Sequence, residues 1–131
     1  MSVNIRENIN AIIKGIQENK ILEIFEKYYA DDVVMYEKGD STNRVGKDQN
    51  RKAEEAFVNN ATIHEAKRMF DIDRFILKVL VDGNNTAYEM YMDFTYGGHN
   101  IKKTQWAIQQ WNNNGLVFNQ LSSQRVTAER D

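Results

Sequence analysis

The apolar positions of the chain follow a helical period in its first part. Isoleucines recur at helical spacing over residues 5–16, and Asn4 is placed to cap that helix, with Glu7 positioned to complete a capping box. A second amphipathic helix is predicted over residues 21–29. The β-branched run that follows, residues 33–37, predicts a short strand. The chain therefore begins with two helices and one strand.

A third helix is predicted over about residues 47–59, with Ala53, Ala56 and Phe57 facing inward. Beyond residue 61 the apolar period changes to two, which is typical of half-buried strands. The predicted strands cover residues 62–69, 75–81, 87–96, 101–111 and 116–125, with turns at 82–85, 97–100 and 112–115. The charged tail from Thr127 is predicted to fray.

Helices followed by a run of antiparallel strands indicate an α+β fold. We expect one domain over residues 1–131, with a core from about 5 to 126. The antiparallel sheet must curve strongly around the three N-terminal helices to bury one face, which gives a cone. Ligand pockets form in the open mouths of such sheets.

Composition excludes several functions. The formal net charge of -2 gives no bulk attraction to nucleic acid or to an anionic membrane, so neither partner is expected. Lys102 and Lys103 are interpreted as a solvated pair. A cysteine count of 0 excludes disulfides and thiolate chemistry. With no signal-like or membrane-spanning apolar stretch, we expect a cytoplasmic protein.

No cofactor or metal is expected either. The two histidines, His64 and His99, have no ligand-type neighbours at useful spacing, and His64 is interpreted as a surface residue. Gly97 and Gly98 form a hairpin turn with no helix after them, which is unlike a nucleotide-binding loop.

Three stretches resemble the SnoaL-like branch of the nuclear transport factor 2-like superfamily, which includes ketosteroid isomerase. They are the aromatic-Ala-Asp-Asp helix exit at residues 25–33, the Gly-Lys-acidic helix start at residues 45–48, and the final hairpin at residues 106–117. The resemblance covers most of the chain and implies a cone-shaped α+β barrel. It implies less about function, because this fold hosts enzymes, binders and transport factors.

The isomerase branch implies a candidate general base at Glu37, which falls on the catalytic carboxylate position at the end of the first strand. The two oxyanion donors of that branch fall on Ile13 and Thr104. Ile13 cannot donate a hydrogen bond, and the Thr104 hydroxyl is a weaker candidate donor than a tyrosine. The resemblance therefore argues against steroid isomerisation.

If Thr104 faces the cone, the strand period of two turns Trp106 inward as well. The cone is then predicted to hold a largely apolar small-molecule pocket. A carboxylate beside apolar walls loses solvation, which would make Glu37 a better base. The expected ligand is a small apolar or amphipathic molecule. Its expected contacts are Met92, Trp106, Phe118, Gln120, Ser122 and Gln124. The alternatives are a solvated Glu37, a core Trp106 and polar residues that only line a wet rim.

Tyr91, Trp111, Val117 and Leu121 are predicted on the outer sheet face, which would be too apolar to remain fully wet. We therefore expect a homodimer through the convex sheet. Three functions fit the sequence: an acid–base isomerase or cyclase that uses Glu37, a non-catalytic small-molecule binder, and a dimeric accessory module with a vestigial pocket.

Overall fold

The computed structural model describes residues 4–38, 43–68 and 79–130 of the chain. Its helices are α1 (Ile5–Gln17), α2 (Ile21–Tyr28) and α3 (Lys47–Asn60). Its strands are β1 (Tyr29–Glu37), β2 (Arg44–Val45), β3 (Ala61–Arg68), β4 (Leu80–Asp82), β5 (Asn85–Tyr96), β6 (His99–Trp111) and β7 (Val117–Arg130). Most of the predicted strand at residues 75–81 lies outside the described residues.

The strands form one sheet of seven, in the order β2-β1-β7-β6-β5-β3, with β4 pairing with β5 at its side. All described pairings are antiparallel except that of β1 with β7, which is parallel. The sheet curves over the helices without closing, and this α+β architecture confirms the predicted fold class. No helix among the described residues is long and apolar enough to span a membrane.

Local sequence explains how the helices are placed. The Asn4 side chain accepts a 3.0 Å hydrogen bond from the Glu7 amide, which confirms the predicted N-cap of α1. Near the other end of α1, Gly15 lies against α2. A Cβ at this glycine would stand 2.2 Å from Ile24 Cγ2, so only glycine allows the two helices to approach this closely.

The predicted ends of two strands are corrected. The helix exit comes one residue earlier than expected, and β1 already begins at Tyr29, so Asp31 and Asp32 lie in the strand. At the other end of the chain, the β7 backbone remains paired with β6 as far as Arg130. The tail that was predicted to fray is therefore part of the sheet as far as that residue.

The inward face of β5 is as predicted: Tyr88, Met90, Met92 and Phe94 are buried. The predicted orientation of β6 is wrong. Trp106 is 38% exposed on the convex face, whereas Ala107, Gln109 and Trp111 are fully buried. The physical reason is the hairpin between β5 and β6.

Gly97 and Gly98 both have positive φ and form a two-residue turn, so Tyr96 lies opposite His99. That register places Met92 opposite Lys103 and therefore turns the odd-numbered residues of β6 inward.

A register shift near Trp111 corrects the start of β7 as well. Val117, predicted on the convex face, is fully buried in the core, and Trp111 is buried beside it. Phe118, predicted to face the cone, is half-buried. From Gln120 onward, the side chains predicted to face inward do so, since Gln120 and Ser122 are buried.

Asn50 ties α3 to the first two strands. Its side-chain amide donates to the carbonyl oxygens of Val33, Arg44 and Gly46 at 3.3, 3.1 and 2.8 Å, and its Oδ1 accepts from Arg44 Nε at 3.1 Å. The residue is fully buried. Since α3 carries one wall of the cone, this amide fixes where that wall stands relative to β1.

Candidate functional site

A cavity of about 310 Å³ lies between the helices and the concave face of the sheet. Its apolar wall comes mainly from the helices, with two methionines from the sheet: Ile16, Ile21, Ile24, Phe25, Ala53, Phe57, Met35 and Met92. Its polar and charged wall comes mostly from the strands: Tyr29, Glu37, Arg44, Glu54, Tyr88, Lys103, Gln105, Gln120 and Ser122. This lining is more polar than the largely apolar pocket expected from the sequence, because the strands and α3 contribute charged side chains.

Glu37, Met92, Gln120 and Ser122 are the sequence-predicted site residues that line this cavity. The parallel pairing of β1 with β7 places Glu37 beside Ser122 and Met35 beside Gln120. The structure therefore brings the predicted base and the predicted amide onto neighbouring strands of the same concave face.

The other predicted site residues lie elsewhere. Thr104 and Trp106 follow the even-numbered phase of β6 and so face the convex side, away from Glu37. Phe118 is half-buried, outside the cavity lining. Gln124 is exposed on the concave side, where its Oε1 accepts a 2.6 Å hydrogen bond from Lys103 Nζ. The prediction of Thr104 as an oxyanion donor in the cone is therefore corrected, because the even-numbered residues of β6 face the convex side of the sheet.

Glu54 was missed by the sequence interpretation. It projects from α3 into the cavity, one turn beyond Asn50. Burial raises the pKa of the Glu54 carboxyl, Arg44 and Lys103 oppose that rise, and the negative charge of Glu37 adds to it. The signal was present in the sequence, because Glu54 is one position after Ala53 and three before Phe57, both of which were predicted to face inward.

The sequence interpretation also placed Lys103 wrongly. It lines the cavity instead of being solvated with Lys102. Burial lowers the pKa of the Lys103 ammonium, while Glu37 and Glu54 oppose that shift. The cavity therefore contains carboxylates from β1 and α3 and cations from β2 and β6.

Two tyrosines at the base of the cavity stay protonated. Burial raises the pKa of Tyr29 well above its ordinary value, and burial together with Glu54 raises the pKa of Tyr88. The Tyr29 hydroxyl donates to Gln120 Oε1 at 2.6 Å. Within the described ranges, no three His, Cys, Asp or Glu side chains come close enough together to hold a metal ion.

Replacing Glu54 with glutamine should stabilise the fold at high pH. The folded-state pKa of Glu54 lies above its ordinary value of 4.5. At a pH between these two values, the carboxyl is protonated in the folded state and ionised in the unfolded state. Wild-type stability should therefore fall, relative to Glu54→Gln, as the pH rises from 4.5 through the folded-state pKa.

Urea unfolding of both proteins at pH 4 and pH 8 measures this difference. Glu55→Gln, at the exposed neighbour on the same helix, is the matched control for the change in charge. An equal stability difference at both pH values would contradict the raised pKa of Glu54.

Comparisons with known proteins agree with this architecture. No protein-family model and no curated protein sequence matches the chain significantly. Many solved structures do match. A protein described as a SnoaL-like polyketide cyclase from Mesorhizobium loti superposes with a TM-score of 0.74 at 19% identity, covering 92% of this chain and 98% of the other.

Two further similar structures belong to proteins with other activities. One is described as an isomerase from Rhodopseudomonas palustris, with a TM-score of 0.70 at 14% identity and coverage of 95% and 91%. The other is an epoxide hydrolase of M. tuberculosis, with a TM-score of 0.70 at 13% identity and coverage of 91% and 80%. At these identities the likeness concerns architecture. The chain has the fold of the SnoaL-like and nuclear transport factor 2-like superfamily.

Proposed function

We propose that the protein is an acid–base enzyme of isomerase or cyclase type that acts on a small, largely apolar molecule, with Glu37 as its general base. The observation that carries this proposal is the position of Glu37 in a cavity with one apolar wall, beside a second carboxylate, Glu54, whose pKa is raised. Neighbouring carboxylates in different environments are a recurrent arrangement for acid–base catalysis.

The proposed step is proton abstraction from the carbon next to a carbonyl group. The Glu37 carboxylate forms an O–H bond as the C–H bond breaks, and the electron pair moves into the enolate. The proton on Glu37, or a solvent deuteron that has replaced it in D₂O, is then delivered to a carbon of the same molecule, which regenerates the carboxylate, so no co-reactant other than water is needed. The similar structures support this class of chemistry, since one is described as a cyclase and one as an isomerase.

The test uses 2-tetralone, an apolar bicyclic ketone with exchangeable α protons, followed by NMR in D₂O. Wild-type protein should accelerate α-proton exchange over buffer. Ala53→Phe, which fills the cavity from α3, should abolish that acceleration. Ala56, which was predicted to face inward, is exposed on the same helix, so Ala56→Phe should preserve the acceleration. Exchange that survives in Ala53→Phe would place the chemistry outside the cone.

We also propose that the protein is a homodimer through its convex sheet face. One row of paired positions crosses five strands there, formed by Tyr36, Leu121, Ile108, Ala87 and Leu80. Four of its five side chains are large, apolar and exposed. A continuous apolar band of this kind is unusual on a monomer, and a second copy of the same face would cover it.

Light scattering at micromolar concentration should therefore give the mass of a dimer. Ile108→Lys, at the middle of the row, should give a folded monomer, because it places a charge where the two copies meet. A monomeric wild-type protein would contradict the proposed dimer.

A further inference from the structure

The orientation of the Gln120 side chain is determined by a buried hydrogen-bond chain. The Trp111 Nε1–H donates to Thr86 Oγ1 at 2.8 Å, and the Thr86 hydroxyl donates to Gln109 Oε1 at 2.8 Å. The Gln109 amide nitrogen then donates to Gln120 Oε1 at 3.3 Å, and Tyr29 donates to the same oxygen. We call these five residues the relay.

The hydrogen bonds of the relay run in one direction. The Trp111 indole N–H can only donate, so Thr86 accepts from it, and the Thr86 O–H donates to Gln109. Gln109 presents its oxygen to Thr86 and its nitrogen to Gln120. Gln120 presents its oxygen to Gln109 and Tyr29. The two N–H groups of Gln120 are consequently turned away from the relay.

Those N–H groups have no partner among the residues that the structure describes, although the side chain is only 6% exposed. Gln120 lines the cavity, and its donors are therefore available to a ligand there. A ligand that covers these N–H groups cuts them off from water, so a ligand that supplies an acceptor oxygen at this point is favoured over one that does not.

The position of this donor relative to Glu37 completes the geometry. Met35 pairs with Gln120 and Glu37 pairs with Ser122, so Glu37 and Gln120 are diagonal neighbours on adjacent strands. Their side chains lie on the same face of the sheet, and both line the cavity, so one small ligand can contact both. A carbonyl oxygen bound at Gln120 would leave the adjacent carbon facing the Glu37 carboxylate.

We infer that the cavity binds neutral carbonyl compounds with the carbonyl oxygen on Gln120 Nε2, which the relay holds as a fixed donor in place of the oxyanion donors found in the isomerase branch. This inference rests on the proposed function for its chemistry and on the relay for its geometry. A neutral ligand is favoured because the carboxylates of Glu37 and Glu54 are matched in the cavity lining by the cations of Arg44 and Lys103, so the ligand need not supply a counter-charge. Trp111, Thr86, Gln109 and Tyr29 are positioning residues.

The test compares the binding of 2-tetralone with that of tetralin, which has the same two rings and no carbonyl group. NMR titration should show that wild-type protein binds the ketone about tenfold more tightly. The Gln120 side-chain amide resonances should shift with the ketone and stay in place with tetralin. Equal affinity for the two compounds would overturn the inference.

Gln120→Glu is the informative variant because its carboxylate can still accept from Tyr29 and Gln109, so the relay keeps its acceptor. At pH 8 the variant presents an oxygen instead of N–H groups to the cavity and should lose the preference for the ketone. At low pH the protonated carboxyl can donate, and the preference should return. Gln17→Glu, at an exposed site on α1, should keep the wild-type preference at both pH values.

A preference that persists in Gln120→Glu at pH 8 would overturn the inference. The same titration in Glu37→Gln separates it from the proposed function. If the ketone preference holds there while wild-type protein shows no proton exchange, the carbonyl site stands and the catalytic proposal falls. If wild-type protein exchanges protons but does not prefer the ketone, the carbonyl site falls alone.

Discussion

Replacing Glu37 with glutamine should lower the rate of α-proton exchange by at least about 10²-fold. Glutamine keeps the shape of the side chain and removes the only function that the proposed step requires of it, acceptance of a proton. Glu37 lies at the end of β1 in the cavity wall, outside the hydrophobic core. The exchange rate at saturating 2-tetralone, with affinity measured in parallel, gives the effect on chemistry alone.

The expected pattern is a loss of rate with little change in ketone affinity, because the ligand is held by the apolar wall and not by Glu37. Glu55→Gln, on the exposed face of α3, provides a variant with the same chemical change and an unaltered rate. An exchange rate in Glu37→Gln within a few-fold of wild type would exclude Glu37 as the base and turn attention to Glu54.

Replacing Asn50 with aspartate should lower the free energy of unfolding by roughly 3 kcal/mol at neutral pH. The substituted oxygen would face the carbonyl oxygens of Val33, Arg44 and Gly46, to which the amide now donates. The site is fully buried, so water cannot replace the lost donor. Urea denaturation measures the change.

Gln49→Glu is the matched control for this variant. The adjacent Gln49 side chain is exposed and accepts a 2.9 Å hydrogen bond from the Val45 amide, and glutamate can accept the same bond. Its effect should stay within about 0.5 kcal/mol. If Asn50→Asp were equally mild, Asn50 would not be the tie between α3 and β1, and the cavity wall would be held by other contacts.

Much of the fold could be predicted because single elements carried unambiguous patterns. The isoleucine period and the Asn4 cap determine α1, and the strict alternation of β5 identifies its buried face. In both elements one face is apolar and the other polar, so only one orientation buries the apolar side chains.

The phase of β6 could not be read from its own residues, because both faces mix apolar and polar side chains. One contains Trp106 and Ile108, and the other contains Ala107 and Trp111. The phase is determined by the tight turn at Gly97 and Gly98, which transfers the clear alternation of β5 to β6. Counting across that turn from Met92 identifies Lys103 as an inward residue.

The carboxylate pair and the relay were harder to predict, since both depend on contacts between distant segments. Glu54 approaches Glu37 because Asn50 holds α3 against β1, and Gln109 approaches Gln120 through the pairing of β6 with β7. Periodicity predicts which face a residue occupies. It does not predict which polar side chains of different elements meet.

A crystal structure of the protein soaked with 2-tetralone tests the central claim most directly. The account predicts the ketone inside the cone, with an enolisable carbon against the Glu37 carboxylate and the rings against Phe57 and Met92. A cone filled by its own side chains, with the ketone bound elsewhere or absent, would contradict the claim that this cavity is the site of acid–base chemistry.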